Sequence, residues 1–284
     1  MSTTDTYPIV LACGISRYDR IPPWRWLATG SSTTRESWSD VVRESMHYFK
    51  RIRAALHEAG FSAHHTLVDW AGPVERRARE LGCEVDSVLA LTGRTKVHII
   101  AHSMGGLDAR WMIAKLGYAA KVCSLTTIGT PHHGTPVADW LVTNRKTARR
   151  VITWLQRMGL DVTGVYDLTT EASAARNEEL AVLEADNGVV YRTWGGQVEF
   201  WPAFAFLKPK HLLLKYVYDE PLNDGIVPLH SARWKHEFFQ GALPWDHLNL
   251  IGWWTPSRMA VGDFSPQRFE RSVREFYVRV ARGL

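Results

Sequence analysis

The run Ala101-His102-Ser103-Met104-Gly105-Gly106 sets a hydroxyl nucleophile among small neighbours. It lies between an apolar stretch, Lys96-Val-His-Ile-Ile-Ala101, and a helix-like one that reaches Leu116 before Gly117. A serine between a strand and a helix is forced into a sharp turn, where only small residues fit two places before and after it. Gly105 meets that demand, and Ala101, standing where Gly is more usual, is still small. The turn lifts the hydroxyl above the sheet and sets it at a helix N-terminus, whose unpaired N–H groups favour developing negative charge. The chemistry this suits is attack on an acyl carbon, with a covalent acyl intermediate on Ser103.

A serine hydroxyl is a weak nucleophile near neutral pH. It needs a general base, and the base needs an orienting carboxylate. On a strand–turn–helix nucleophile the partners follow in chain order, carboxylate and then histidine. Asn223-Asp224-Gly225 is a turn between apolar residues, suited to holding a carboxylate, so Asp224 is the favoured acid, with Asp219, Glu220 and Asp246 as rivals. His247, in Asp246-His-Leu-Asn249, is the favoured base. His230 follows Asp224 too closely for easy reach, and His236 falls in a strand-like stretch. Two backbone N–H groups must face the oxyanion. Met104, after the nucleophile, offers one, and Ile15 offers the other from the loop Cys13–Asp19, where Gly14 lets the chain turn.

These groups need a scaffold, and the hydrophobic pattern describes one. Pro8–Cys13, Phe61–Val68, Lys96–Ala101, Val122–Ile128 and Val189–Trp194 read as strands, several of them continuously apolar and so buried on both faces. Trp234–Phe239 reads as another, and Leu212–Tyr218 as a further candidate. Ser39–Gly60, Pro73–Gly93, Ser103–Leu116 and a last segment with Phe269, Val273, Phe276 and Val280 repeat at helical spacing. Strands alternating with helices predict a mostly parallel sheet with helices on both faces, in one domain over 1–284. Residues from about 137 to 184 interrupt the alternation and are expected to form a helical lid. Arg145, Lys146, Arg149, Arg150 and Arg157 give that stretch a basic amphipathic face, which suits a cleft cover or a transient lipid-surface contact.

Composition narrows the classes. At 284 residues with 45% hydrophobic and 22% charged residues, the chain is expected to be globular rather than disordered. A net charge of +5 without a dense Lys/Arg run argues against nucleic-acid binding. Cys13, Cys83 and Cys123 form no metal-binding spacing, and neither a metal nor another cofactor is expected. The opening residues have no basic n-region or apolar core, so a cytoplasmic location is expected for a full-length product and a secreted one for a mature form.

Larger segments carry a resemblance. Pro8–Ile15, Val97–Arg110, Thr127-Ile-Gly-Thr-Pro-His-His-Gly-Thr135, Asp167–Arg176 and Tyr191-Arg-Thr-Trp-Gly-Gly196 are similar to segments of the bacterial triacylglycerol lipases of the Pseudomonas and Burkholderia type. The chain thus resembles an α/β-hydrolase. The resemblance implies Ser103, Asp224 and His247 as a triad, Ile15 and Met104 as the oxyanion donors, and a hydrophobic carboxylic ester as substrate. Thioesterase, acyltransferase and polyester-depolymerase activities would use the same machinery. A non-catalytic binding protein on the same scaffold should lack a triad member, and none is lacking. Cys13 stands where those lipases usually have His. Asn249 stands where they place a calcium-binding Asp, two residues after the catalytic histidine, and no partner Asp lies near Val198–Phe206. No calcium site of that kind is expected.

Overall fold

The computed structural model describes residues 7–15, 44, 47–143 and 163–284. Along these residues run β1 (Ile9–Ala12), α1 (Ile52–Glu58), β2 (Ala63–His65), α2 (Val74–Thr92), β3 (Val97–His102), α3 (Met104–Lys115), β4 (Val122–Ile128) and α4 (Pro136–Thr143). There follow α5 (Thr170–Ala185), β5 (Val190–Gly196), α6 (Lys208–Val217), α7 (Leu229–Arg233), β6 (Phe239–Leu243) and α8 (Pro266–Arg282).

The strands make one six-stranded sheet in the order β2-β1-β3-β4-β5-β6. Every neighbouring pair is parallel. The alternation of side chains along a strand divides the core. From β1, Ile9 and Leu11 pack with α1 and α8, against Phe49, Ile52, Leu56, Phe269, Val273 and Phe276. Val10 and Ala12 face the other way and join Ala78, Leu81, Val85, Ala109 and Met112 of α2 and α3. Both faces are therefore covered, which is why β1 and β3 are buried along their whole length, and β1 reads as an unbroken apolar run.

The parallel sheet and its flanking helices are as expected, but three elements differ. Of the helix expected over Ser39–Gly60, residues 47–51 form bends and a turn, with Arg51 at φ 55°, and helix follows only over Ile52–Glu58. Leu212–Tyr218 is not a strand: α6 covers it. Pro209 in its first turn is preset for helix, and His211 and Leu214 turn inward on one side while Leu212 and Tyr216 stay exposed. The last strand begins later than expected. A 3₁₀ turn at His236–Phe238 precedes β6. Of the expected lid, residues 144–162, including the basic stretch Arg145–Arg157, lie outside the described residues. The helix after them is tied to the body: Arg110 of α3 forks onto Glu184 of α5 through Nε (2.7 Å) and Nη2 (3.0 Å), both side chains buried. Among the described residues, no helix is long and apolar enough to cross a membrane.

Candidate active site

Ser103 follows β3 and caps α3 in a conformation that non-glycine residues avoid, φ 56° and ψ −133°. Such strain costs on the order of 1–3 kcal/mol and persists only where its surroundings impose it. Here they do. The Ser103 N–H donates to Ile128 O of the neighbouring strand (3.1 Å), and Thr130 Oγ1 donates to Ser103 O (2.8 Å). A methyl group on Gly105 would lie 2.6 Å from the backbone oxygen of Ala12, so α3 approaches β1 more closely than any side chain allows.

Asp224 and His247 come from the loops beyond β5 and β6. The Ser103 hydroxyl is 2.9 Å from His247 Nε2 and donates to it. On the far side of the ring, Nδ1–H donates to Asp224 Oδ2 at 2.7 Å. The other oxygen, Asp224 Oδ1, accepts the N–H groups of Ile226 (2.9 Å) and Val227 (2.7 Å). The His247 N–H donates to Asp224 O (2.9 Å), so backbone as well as side chain joins the two loops. Asp224 is fully buried, and a buried carboxylate must be paired and hydrogen-bonded in this way.

Gly14 lies against Ser103: a methyl group there would be 2.7 Å from its Cβ and 3.1 Å from its Oγ. Ile15 follows it and packs against Val74, Met104 and Leu107. Met104 is the first residue of α3. Ile15 and Met104, the residues named for the oxyanion, thus adjoin Gly14 and Ser103 in the chain and meet in one apolar cluster.

The rivals are elsewhere. Glu220 pairs with an exposed His230 at 3.1 Å, Asp219 is exposed, and His236 stands in the 3₁₀ turn before β6. Asp246 is buried but faces backbone, accepting the N–H groups of Phe204 (2.8 Å), Leu248 (3.0 Å) and Asn249 (2.8 Å). Its burial, with Asp224 nearby, pushes the carboxyl up to about 6 although those hydrogen bonds oppose the shift.

Three supporting residues escaped the sequence reading. Arg77 of α2, buried, donates to Asp108 Oδ2 of α3 (2.9 Å) and to Cys13 O (2.8 Å) and Gly14 O (3.3 Å), bolting the loop after β1 to two helices. In sequence it is one more charge in a charged helix. His102 precedes Ser103, and its ring centroid lies 4.6 Å from that of His247. Tyr48 O–H donates to His102 Nδ1 at 2.6 Å. Burial and the adjacent His247 hold His102 well below the ordinary histidine range, so it stays neutral.

Comparisons with known proteins agree with this architecture. Residues 84–157 match the PGAP1-like alpha/beta domain family. Triacylglycerol lipase 2 of Saccharomyces cerevisiae is 30% identical over 216 residues, which are 72% of this chain and 62% of that protein. A triacylglycerol lipase of Pseudomonas fragi is 25% identical over 88% of this chain and 89% of its own. By sequence and fold the chain is a lipase-like α/β-hydrolase. In fold, the hydrolase superposes on a Staphylococcus hyicus lipase with a TM-score of 0.64 at 17% identity, over 98% of this chain and 96% of that one. The sequence relatives reported are triacylglycerol lipases, which does not favour the thioesterase, acyltransferase or polyester readings. The hydrolase spans 62% of the length of the yeast relative and 89% of the Pseudomonas one.

Proposed function

We propose that the hydrolase cleaves carboxylic esters with an apolar acyl group, using Ser103 as nucleophile, His247 as general base and Asp224 as the carboxylate that orients it. The hydrogen-bonded line from Ser103 Oγ through His247 to Asp224, at 2.9 and 2.7 Å, carries this reading. As Oγ attacks the ester carbonyl carbon, its proton passes to His247 Nε2, and Asp224 stabilises the imidazolium through Nδ1–H. The carbonyl oxygen becomes an oxyanion between the N–H groups of Met104 and Ile15. Each such donor is worth on the order of 100-fold or more in turnover. His247 then gives its proton to the departing alkoxide, leaving an acyl group on Ser103. Water, deprotonated by the same imidazole, releases the acid.

A fluorophosphonate probe tests the nucleophile: the wild-type protein should label and Ser103→Ala should not. Equal labelling of both removes Ser103 from the role. Nitrophenyl esters of rising chain length then place the acyl preference.

The reading extends to a transient lipid-surface contact on and before α6. Trp201 (70% exposed), Phe206 and Tyr216 stand out from the surface there, and Lys208, Lys210 and Lys215 lie over their rings at 5.3 to 5.5 Å. Aromatic rings beside lysines suit the boundary of an anionic bilayer. Sedimentation with vesicles containing anionic lipid should carry the hydrolase down, and the double variant Trp201→Ser/Tyr216→Ser should stay in solution. Wild-type protein that ignores both anionic and neutral vesicles ends this part of the proposal.

A further inference from the structure

Arg258 is a buried cation under the loop that carries His247. It lies in a 3₁₀ turn, Pro256–Val261, and is 6% exposed. Nη1–H donates to Pro244 O at 3.2 Å and to Asn249 Oδ1 at 3.1 Å. Nε–H donates to Asp263 Oδ2 at 2.7 Å, Nη2 reaches the same oxygen, and the guanidinium carbon sits 4.6 Å from the centre of the Phe269 ring. Pro244 and Asn249 bracket His247 in the chain. One planar cation therefore grips both sides of the segment that presents the imidazole. Asn249 passes the grip on, since its Nδ2 donates to Trp253 O at 2.8 Å and its N–H donates to Asp246 Oδ1 at 2.8 Å.

The resemblance to the Pseudomonas and Burkholderia lipases implies a calcium ion at this loop, held by a carboxylate where Asn249 stands. The residues present do not fit one. Calcium needs six to eight oxygen ligands, several of them anionic. The Asn249 oxygen is neutral and already turned to a guanidinium, whose like charge would face the ion at close range.

We propose that Arg258 is a positioning residue that takes over the bracing of this loop, holding His247 against Ser103 with a cation that cannot dissociate. Turnover then depends on Arg258 and is indifferent to calcium. The inference rests on His247 being the base. A cavity of about 200 Å³, lined by Val198, Glu199, Pro202, Pro244, Arg258 and Val261, opens beside the guanidinium and would let a small cation enter once that side chain is cut back.

The experiment uses the full chain with a soluble ester and the fluorophosphonate probe. EDTA and added calcium should each leave wild-type kcat unchanged. Arg258→Ala should lower kcat and the rate of probe labelling by about tenfold to a hundredfold, the range for groups that orient a functional side chain from behind. KM should change by less than roughly threefold. Added guanidinium at millimolar concentration should restore kcat and labelling several-fold in Arg258→Ala and do nothing to the wild type, a response that loss of fold would not show. Arg258→Lys should fall between, keeping charge but not the fork. Asn249→Ala cuts the grip at the loop and leaves the buried charge paired with Asp263. It should lose activity in the same way, and it serves as the test if Arg258→Ala does not fold. Wild-type kcat in Asn249→Ala, a loss in Arg258→Ala that guanidinium leaves untouched, or EDTA inactivation reversed by calcium would each overturn the inference. His247→Ala separates the two levels: normal labelling there removes the base itself, whereas a silent His247→Ala beside fully active Arg258 and Asn249 variants removes only the brace.

Discussion

Asp224 shows how much of the site's chemistry is settled by where two oxygens point. Oδ1 is occupied by the N–H groups of Ile226 and Val227, so only Oδ2 can receive Nδ1–H of His247. In Asp224→Asn the amide oxygen must stay with those two backbone donors, because an NH₂ group there would meet N–H head-on. The NH₂ then faces His247 and demands an unprotonated Nδ1. The ring answers by carrying its proton on Nε2, where it confronts the Ser103 hydroxyl and can no longer accept its proton. Turnover of a soluble ester should fall by on the order of a thousandfold or more, with little change in KM, and steady-state kinetics measure it. A loss below about tenfold would move the orienting role to another carboxylate.

Between elements, the best-placed link is the ion pair of Arg77 and Asp108, which joins α2 to α3 and holds the loop after β1 by its carbonyl oxygens. Both partners are buried, so removing one strands the other's charge, at a cost of about 3–5 kcal/mol. Arg77→Met should show that loss in urea unfolding. The double variant Arg77→Met/Asp108→Leu should recover much of the stability but not the activity, because the loop beside Ser103 stays unanchored. Equal stability of the single and double variants would mean that the pair is not the source of the effect. Nothing in the sequence announced this link, because a charge inside a helix shows its burial only through helices that pack on it from elsewhere. The strands around Ser103 were legible for the opposite reason. Val97–Ala101 and Val122–Ile128 are apolar enough to be strands buried on both faces, and Ser103-Met-Gly-Gly is readable because its turn admits so few residues. Leu212–Tyr218 misled because three leucines in a row, followed by Tyr and Val, satisfy a strand as well as a helix. The inward turn of His211 and Leu214 that decides for α6 depends on tertiary contacts.

Across the whole molecule, the sheet order puts the site where it is. The chain leaves β1 for β2 on one side and leaves β3 for β4 on the other, and Gly14 and Ser103 lie just past the ends of these two neighbouring strands, where the connections diverge. Open parallel sheets bind ligands at such a crevice. The loops beyond β5 and β6 then reach back to it with Asp224 and His247, and Asp246 stiffens the second of them at a cost to the folded state as a whole. Burial raises its carboxyl from 3.8 to about 6, so between these values the folded protein binds a proton that the unfolded chain does not. The sign follows from linkage: this group's contribution to stability is lowest above pH 6, grows as pH falls through 6, and levels off below about 4. Asp108 is also raised to about 6 by burial, in spite of Arg77, and the slope of the wild-type protein alone would mix the two. Comparison with Asp246→Asn cancels Asp108 and isolates the one carboxyl. The variant should be the less stable at every pH, since its NH₂ must oppose one of the backbone N–H groups that the carboxylate now accepts, that of Phe204 among them. Its deficit in urea unfolding should widen from pH 7 toward pH 4.5. A deficit that shrinks on acidification would show that the charged carboxylate is the form the fold prefers.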